Sequence, residues 1–283
     1  MKKALLCTAV LFLLSGCNSS APATQTTAQN TTEPQAQPQA VTADRETVFQ
    51  VSLLQGLTLG DYYGSVTVKE LKEKGDTGIG TFEGVNGELV MVDGVVYRAK
   101  SDGSVEVAPD DETIPFSNVT FFDADTTEEI SGIANIGDLK AYLDGKVAEY
   151  GKNRFYMIRI DGSFKKVSAR SELKQDEPYT KTLAEALATD QREFDFEETT
   201  GTVVGLFCPE YMKDLNAAGW HFHFVTEDKS KGGHVLDLDI DKAELKWDNT
   251  DGFNMLLPET KMFPELDLTK DQSADIKKVE TNE

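Results

Sequence analysis

Between Gly78 and Ala108 the chain reads GIGTFEGVNGELVMVDGVVYRAKSDGSVEVA, short apolar runs punctuated by Asn86-Gly87, Asp93-Gly94 and Asp102-Gly103. No other stretch constrains the fold as tightly. Asx-Gly pairs supply the positive φ angles that tight hairpins demand, so runs separated this way pair antiparallel with their sequence neighbours. The expectation is a meander, extended by a strand from Ile114 to Phe122. Helices are few. Thr67 and Glu70 have the spacing of a capping box, with Gly75 just past a short helix. In Gly137–Tyr150 the residues Leu139, Tyr142, Leu143, Val147 and Tyr150 share one helical face, and Thr182–Ala188 reads as a third short helix. Arg154–Ile160 and Ser163–Ala169 flank Asp161-Gly162 and read as a further hairpin. Strands are expected at Thr199–Phe207, Trp220–Thr226, His234–Ile240, Ala243–Asp248 and Phe253–Leu257. The class is a strand-rich α+β fold with mixed and antiparallel sheets. The charged stretch TDQREFDFEE suggests a division near residue 195, into an N-terminal mixed-sheet domain of residues 44–195 and a C-terminal β domain of residues 196–283.

The first residues, MKKALLCTAVLFLLSGC, combine a basic start, an apolar run and small residues before Cys17. The run is far short of the roughly 20 residues a membrane span needs and reads as a secretory signal over residues 1–16. Leu14-Ser15-Gly16-Cys17 resembles a bacterial lipobox, which implies cleavage before Cys17 and lipid on its thiol. The expected location is then outside the cell membrane, anchored to its outer face; several acyl chains together give stable attachment. Residues 18–43 hold no aromatic side chain and one charge, Glu33, so with Cys17 they read as a lipidated, disordered tether.

The formal net charge is −21, which argues against nucleic acid as a partner, since that needs a basic face. It also leaves attraction to an anionic membrane to lipid and not to charge. With Cys7 in the leader and Cys17 lipidated, only Cys208 remains, so no internal disulfide forms. Cys208 lies in the apolar run VVGLFCP and reads as a packing residue.

All three histidines of the chain lie within WHFHFVTEDKSKGGHVLD: His221, His223 and His234. Alternation along a strand puts His221 and His223 on one face and Phe222 and Phe224 on the other. If Thr226 pairs with Lys231 around a four-residue loop, His223 falls opposite His234, about 5 Å away at Cβ. One hairpin then presents three imidazoles to one point, with Gly232 and Gly233 permitting a close backbone approach. Three imidazoles are a typical catalytic zinc set with an open position; Fe, Ni, Co or Mn are the other metals that imidazole accepts. Three satisfied or surface histidines on a β-ribbon are the bland alternative.

Three blocks carry a wider likeness. GDTGIGTFEGVNGELVMVDGVVYRAKSDG, RFYMIRIDGSFKKVSAR and GWHFHFVTEDKSKGGHVLDL, in this order, resemble the acetolactate decarboxylases, over about residues 48–283. The resemblance implies a two-domain α/β arrangement of mixed sheets, a homodimer, zinc in the C-terminal half, and conversion of 2-acetolactate to acetoin and carbon dioxide. By position it implies His221, His223 and His234 as metal ligands, Glu88, Arg170 and a back-folding Glu280 as catalytic residues, and Thr81 beside the substrate. Taken singly, Glu88 beside an Asn-Gly turn, Arg170 near two lysines and Glu280 in the tail would each read as solvated charges.

The implied chemistry suits these residue types. Loss of carbon dioxide leaves electrons that flow into the neighbouring ketone as an enediolate, which a metal chelated by the ketone and hydroxyl oxygens stabilises. A guanidinium pairs with the carboxylate, and a carboxylic acid of raised pKa, Glu88 or Glu280, delivers the proton. No organic cofactor is required. Two competing classes are a catalytically inactive metal-binding lipoprotein and a zinc hydrolase on the same scaffold. There is no HExxH segment, Gly-rich phosphate loop or serine elbow.

Overall fold

The computed structural model describes residues 44–281, so the expectations for the leader, Cys17 and the tether lie outside the described residues. The chain begins with β1 (Thr47–Val51), α1 (Leu54–Thr58), β2 (Val66–Thr67) and α2 (Val68–Lys72). The meander follows as β3 (Thr77–Thr81), β4 (Glu88–Val92), β5 (Val95–Ala99) and β6 (Val105–Val107), then β7 (Thr113–Ile114) and β8 (Phe116–Thr120). The second half runs β9 (Thr126–Ile133), α3 (Ile136–Tyr150), β10 (Phe155–Glu172), α4 (Leu183–Asp190) and β11 (Gln191–Cys208). It ends with β12 (Gly219–Thr226), β13 (Gly232–Thr250), β14 (Gly252–Leu256) and α5 (Ser273–Thr281). Among the described residues no helix is long and apolar enough to cross a membrane.

The architecture is α+β, as expected. A seven-stranded mixed sheet has the order β14-β1-β8-β3-β4-β5-β6, parallel only between β14 and β1. The consecutive pairs β3–β4, β4–β5 and β5–β6 are antiparallel, which is the expected meander. Asp93 and Gly94 both take positive φ (52° and 77°), the requirement of a tight primed turn. The second sheet has the order β10-β11-β12-β13-β9, and β10 also pairs with β13, so four strands close on themselves. Strands β2 and β7 form a separate small ribbon.

The helices form where the caps direct. Thr67 and Glu70 cap α2 reciprocally, and Thr182 with Glu185 does the same for α4. Asn135 caps α3, which buries Leu139, Leu143 and Val147 at helical spacing; Tyr142 turns outward, so the apolar stripe is narrower than expected. That stripe packs on one face of the second sheet with Phe222, Phe224, Tyr156 and Trp247. Each fully buried phenylalanine contributes roughly 2–3 kcal/mol. The opposite face, through Met157, Val204, Leu206, Cys208 and Val225, packs against Val48, Ile79 and Val90 of the first sheet. Cys208 is buried and free, and burial pushes its thiol pKa up.

The expected turn at Asp161-Gly162 is overturned. Residues 154–169 are not a hairpin turning at Asp161-Gly162 but part of the 18-residue strand β10. Gly162 pairs with Gly201 on one side and Ala243 on the other. A Cβ there would lie 2.4 Å from Lys242 O and 2.5 Å from Ala243 Cα, so the glycine serves a close approach between strands rather than a turn. Likewise His234–Ile240 and Ala243–Asp248 are one strand, continuous through Asp241. Residue 195 falls inside β11, and the described residues fall in one compact unit.

Candidate metal centre and active site

The register of the second sheet builds the site. His223 pairs with His234, as the loop length predicts, and Thr226 N–H donates to Lys231 O at 2.9 Å. Across the next pairing His234 stands opposite Arg170 of β10, so His223, His234 and Arg170 form a row across three strands. A Cβ at Gly233 would lie 2.5 Å from Arg170 O, so only glycine admits β10 this close. His221 and His223 share the face of Val225, the one turned toward the first sheet, where β4 contributes Glu88 and Leu89.

All three imidazoles are buried. His221 Nε2 lies 3.0 Å from His223 Nε2 and 3.0 Å from His234 Nδ1. Nitrogens bonded to one zinc at 2.0–2.1 Å would also sit roughly 3 Å apart. The outer ring nitrogens fix the tautomers: His223 Nδ1–H donates to Leu89 O at 2.8 Å, and His234 Nε2–H donates to Glu280 O at 3.1 Å. Each bond leaves a bare lone pair aimed at the common point. Burial, followed by nearby positive groups, pushes the histidine pKa values down, His221 to about 3, so the rings are neutral at ordinary pH. Neutral rings with converging lone pairs are what a divalent cation requires. Among the described residues these three form the single His, Cys, Asp and Glu group compact enough to hold a metal.

Carboxylates close in on the same point. Glu280 Oε2 lies 3.2 Å from His221 Nε2, and Glu88 Oε2 lies 3.5 Å from His223 Nε2. Glu88 is buried at the start of β4, opposite Thr81 of β3. Thr81 is buried too, with its hydroxyl donated to Gly87 O at 2.9 Å. Arg170 Nη1 donates to Gln191 Oε1 at 3.1 Å and Nη2 donates to Val279 O, while Nε is buried without a partner. Burial raises the Glu88 carboxyl well above the usual range; the neighbouring Glu172 and Glu280 add to this, while Arg170 opposes it. Burial lifts Glu280 to about 7 against the pull of Arg170.

Every residue singled out in the sequence among the described residues therefore lines one cavity: Thr81, Glu88, Arg170, Glu280 and the three histidines. Sequence reasoning missed Glu172, a third buried carboxyl 3.6 Å from Arg170 Nη1. Its signal was present, since on a strand it shares the face of Arg170 two residues earlier. The far wall is apolar, with Leu54, Leu57, Phe116 and Leu183.

The family profile for alpha-acetolactate decarboxylase matches residues 48–270. The chain is 41% identical to an alpha-acetolactate decarboxylase of Methanosarcina mazei, over 83% of this chain and 80% of that one. It is 36% identical to that of Bacillus licheniformis, over 86% of this chain and 95% of that one. The crystal structure of the Bacillus subtilis strain 168 enzyme superposes with a TM-score of 0.79 at 34% identity, covering 83% of this chain and 99% of that one. The chain belongs to the alpha-acetolactate decarboxylase family.

Proposed function

We propose that this enzyme decarboxylates 2-acetolactate to acetoin in a metal-dependent reaction in which Arg170 binds the substrate anion and a buried glutamic acid returns the proton. The observation that carries the reading is the convergence of three neutral imidazoles, with His221 Nε2 3.0 Å from a ring nitrogen of each of the other two, beside one guanidinium and carboxyls whose pKa values are raised. Held by His221, His223 and His234, a divalent metal such as zinc would supply Lewis-acid stabilisation of negative charge on the substrate. The unpartnered Nε–H of Arg170 is free to meet the substrate carboxylate, with the rest of its fork fixed by Gln191 and Val279. The apolar wall accepts the methyl groups and limits water at the reacting carbon. When the bond to the carboxyl carbon breaks, its electron pair moves into the neighbouring ketone and carbon dioxide leaves. One proton must then reach the carbon that carried the carboxyl group. Glu88, kept protonated by burial and by its carboxylate neighbours, is the donor; Glu280 holds the other side of the centre.

Racemic acetolactate, Glu88→Gln and an acetoin assay test this. The variant is expected to retain bound metal and to lose about 100-fold or more in turnover, the usual scale of general acid catalysis. Unchanged turnover would remove Glu88 from the mechanism. From the sequence we further infer an exported homodimer anchored through Cys17. Lipid labelling of the wild type that Cys17→Ala abolishes supports the anchor, and unlabelled wild type rejects it.

A further inference from the structure

The C-terminal helix reaches the centre with more than the Glu280 side chain. Two of its last carbonyls are also engaged, Val279 O by Arg170 and Glu280 O by His234. A carbonyl oxygen only accepts, so the second bond keeps the His234 proton on Nε2 and leaves Nδ1 bare at the metal point. The helix is fastened by Ile276 and Val279, buried among Leu54, Leu57 and Leu183, while most of its other described side chains are exposed. Glu280 lines three cavities: the one holding all three histidines, one beside residues 210–220, and one beside the start of α3 that also reaches His221 and His234. The end of α5 thus borders the histidine pocket and two neighbouring cavities.

We propose that α5 is a metal-coupled gate: the Val279 and Glu280 carbonyls position Arg170 and His234 when it docks, and the anionic substrate and its product pass when it undocks. The inference rests on the metal reading above. Coupling of this kind is reciprocal, so bound metal favours the docked helix and the docked helix tightens the metal by the same factor. Outer-sphere partners of a metal-bound histidine are worth about 10–100-fold in affinity, which sets the expected size of the effect.

The test uses the full chain and zinc alone. Amide hydrogen exchange across residues 273–281 is measured with and without zinc. Zinc affinity is measured for wild type, for Ile276→Ser with Val279→Ser, and for Glu280→Gln. Zinc is expected to slow exchange in α5 at least tenfold. The double variant, shown folded by its tryptophan fluorescence, should bind zinc about 10–100-fold more weakly. Glu280→Gln keeps both carbonyls and should lose clearly less. Exchange in α5 that ignores bound zinc would overturn the gate, as would wild-type affinity in the double variant. Equal losses in the double variant and Glu280→Gln would assign the link to the carboxylate and overturn the role of the carbonyls. Wild type that binds no zinc would instead reject the metal reading, and the gate with it.

Discussion

Asp248 offers a clean test of the electrostatics inside this fold. The residue is 1% exposed on β13, accepts one N–H from Asp123 at 3.1 Å, and forms no ion pair among the described residues. Burial first, then the charges of Glu46, Asp125 and Asp123, raise its pKa from 3.8 to about 8. Between those two values the folded chain holds a proton that the unfolded chain has released. Stability therefore falls as pH rises through that window. Each pH unit removes at most about 1.4 kcal/mol, or about 4 kcal/mol between about pH 5 and about pH 8. Relaxation around a buried charge reduces this, and we expect about 2 kcal/mol, which for a domain of this size is about 4–8 °C in Tm. Asp248→Asn keeps an acceptor for the Asp123 N–H and cannot ionise. The assay is thermal unfolding by circular dichroism across this range, in saturating metal, for wild type and variant. Subtracting the two profiles cancels every other titrating group. The variant should gain on the wild type steadily with rising pH. Parallel profiles would show that Asp248 ionises in the fold as it does in water, and would refute the reasoning.

Two further predictions follow from the strands and the pocket. Gly162→Ala forces a methyl group into the backbone of β13 and should destabilise the chain by about 1–3 kcal/mol, read as a lower denaturation midpoint; a neutral result would restore a turn at that position. Glu172→Gln removes a negative charge that helps keep Glu88 protonated, so the alkaline limb of the pH–rate profile should move to lower pH; an unmoved limb would dissociate the two carboxyls.

Much of the site was legible because strand alternation and loop length are local rules. They place His221 beside His223 on one face and His223 opposite His234, and the register obeys them. The capping box at Thr67 was legible for the same reason. Asp161-Gly162 misled because an Asp-Gly pair licenses a turn without compelling one. Here β11 and β13 pair along both edges of β10, and those long-range ladders override the local signal. The charged stretch around residue 195 looked like a boundary because the first part of β11 has solvated faces, with only Gln191, Phe194, Phe196 and Thr199 partly buried before Gly201. The carbonyls of Leu89, Val279 and Glu280 acquire meaning only when two sheets and the tail converge, which no local pattern encodes.

The most direct measurement is acetoin formed from racemic acetolactate by the purified protein before chelation, after it, and after zinc is restored. The account predicts acetoin above the spontaneous background, lost with the metal and recovered with it. Folded, metal-loaded protein that forms no acetoin would contradict it, as would turnover that survives complete removal of the metal.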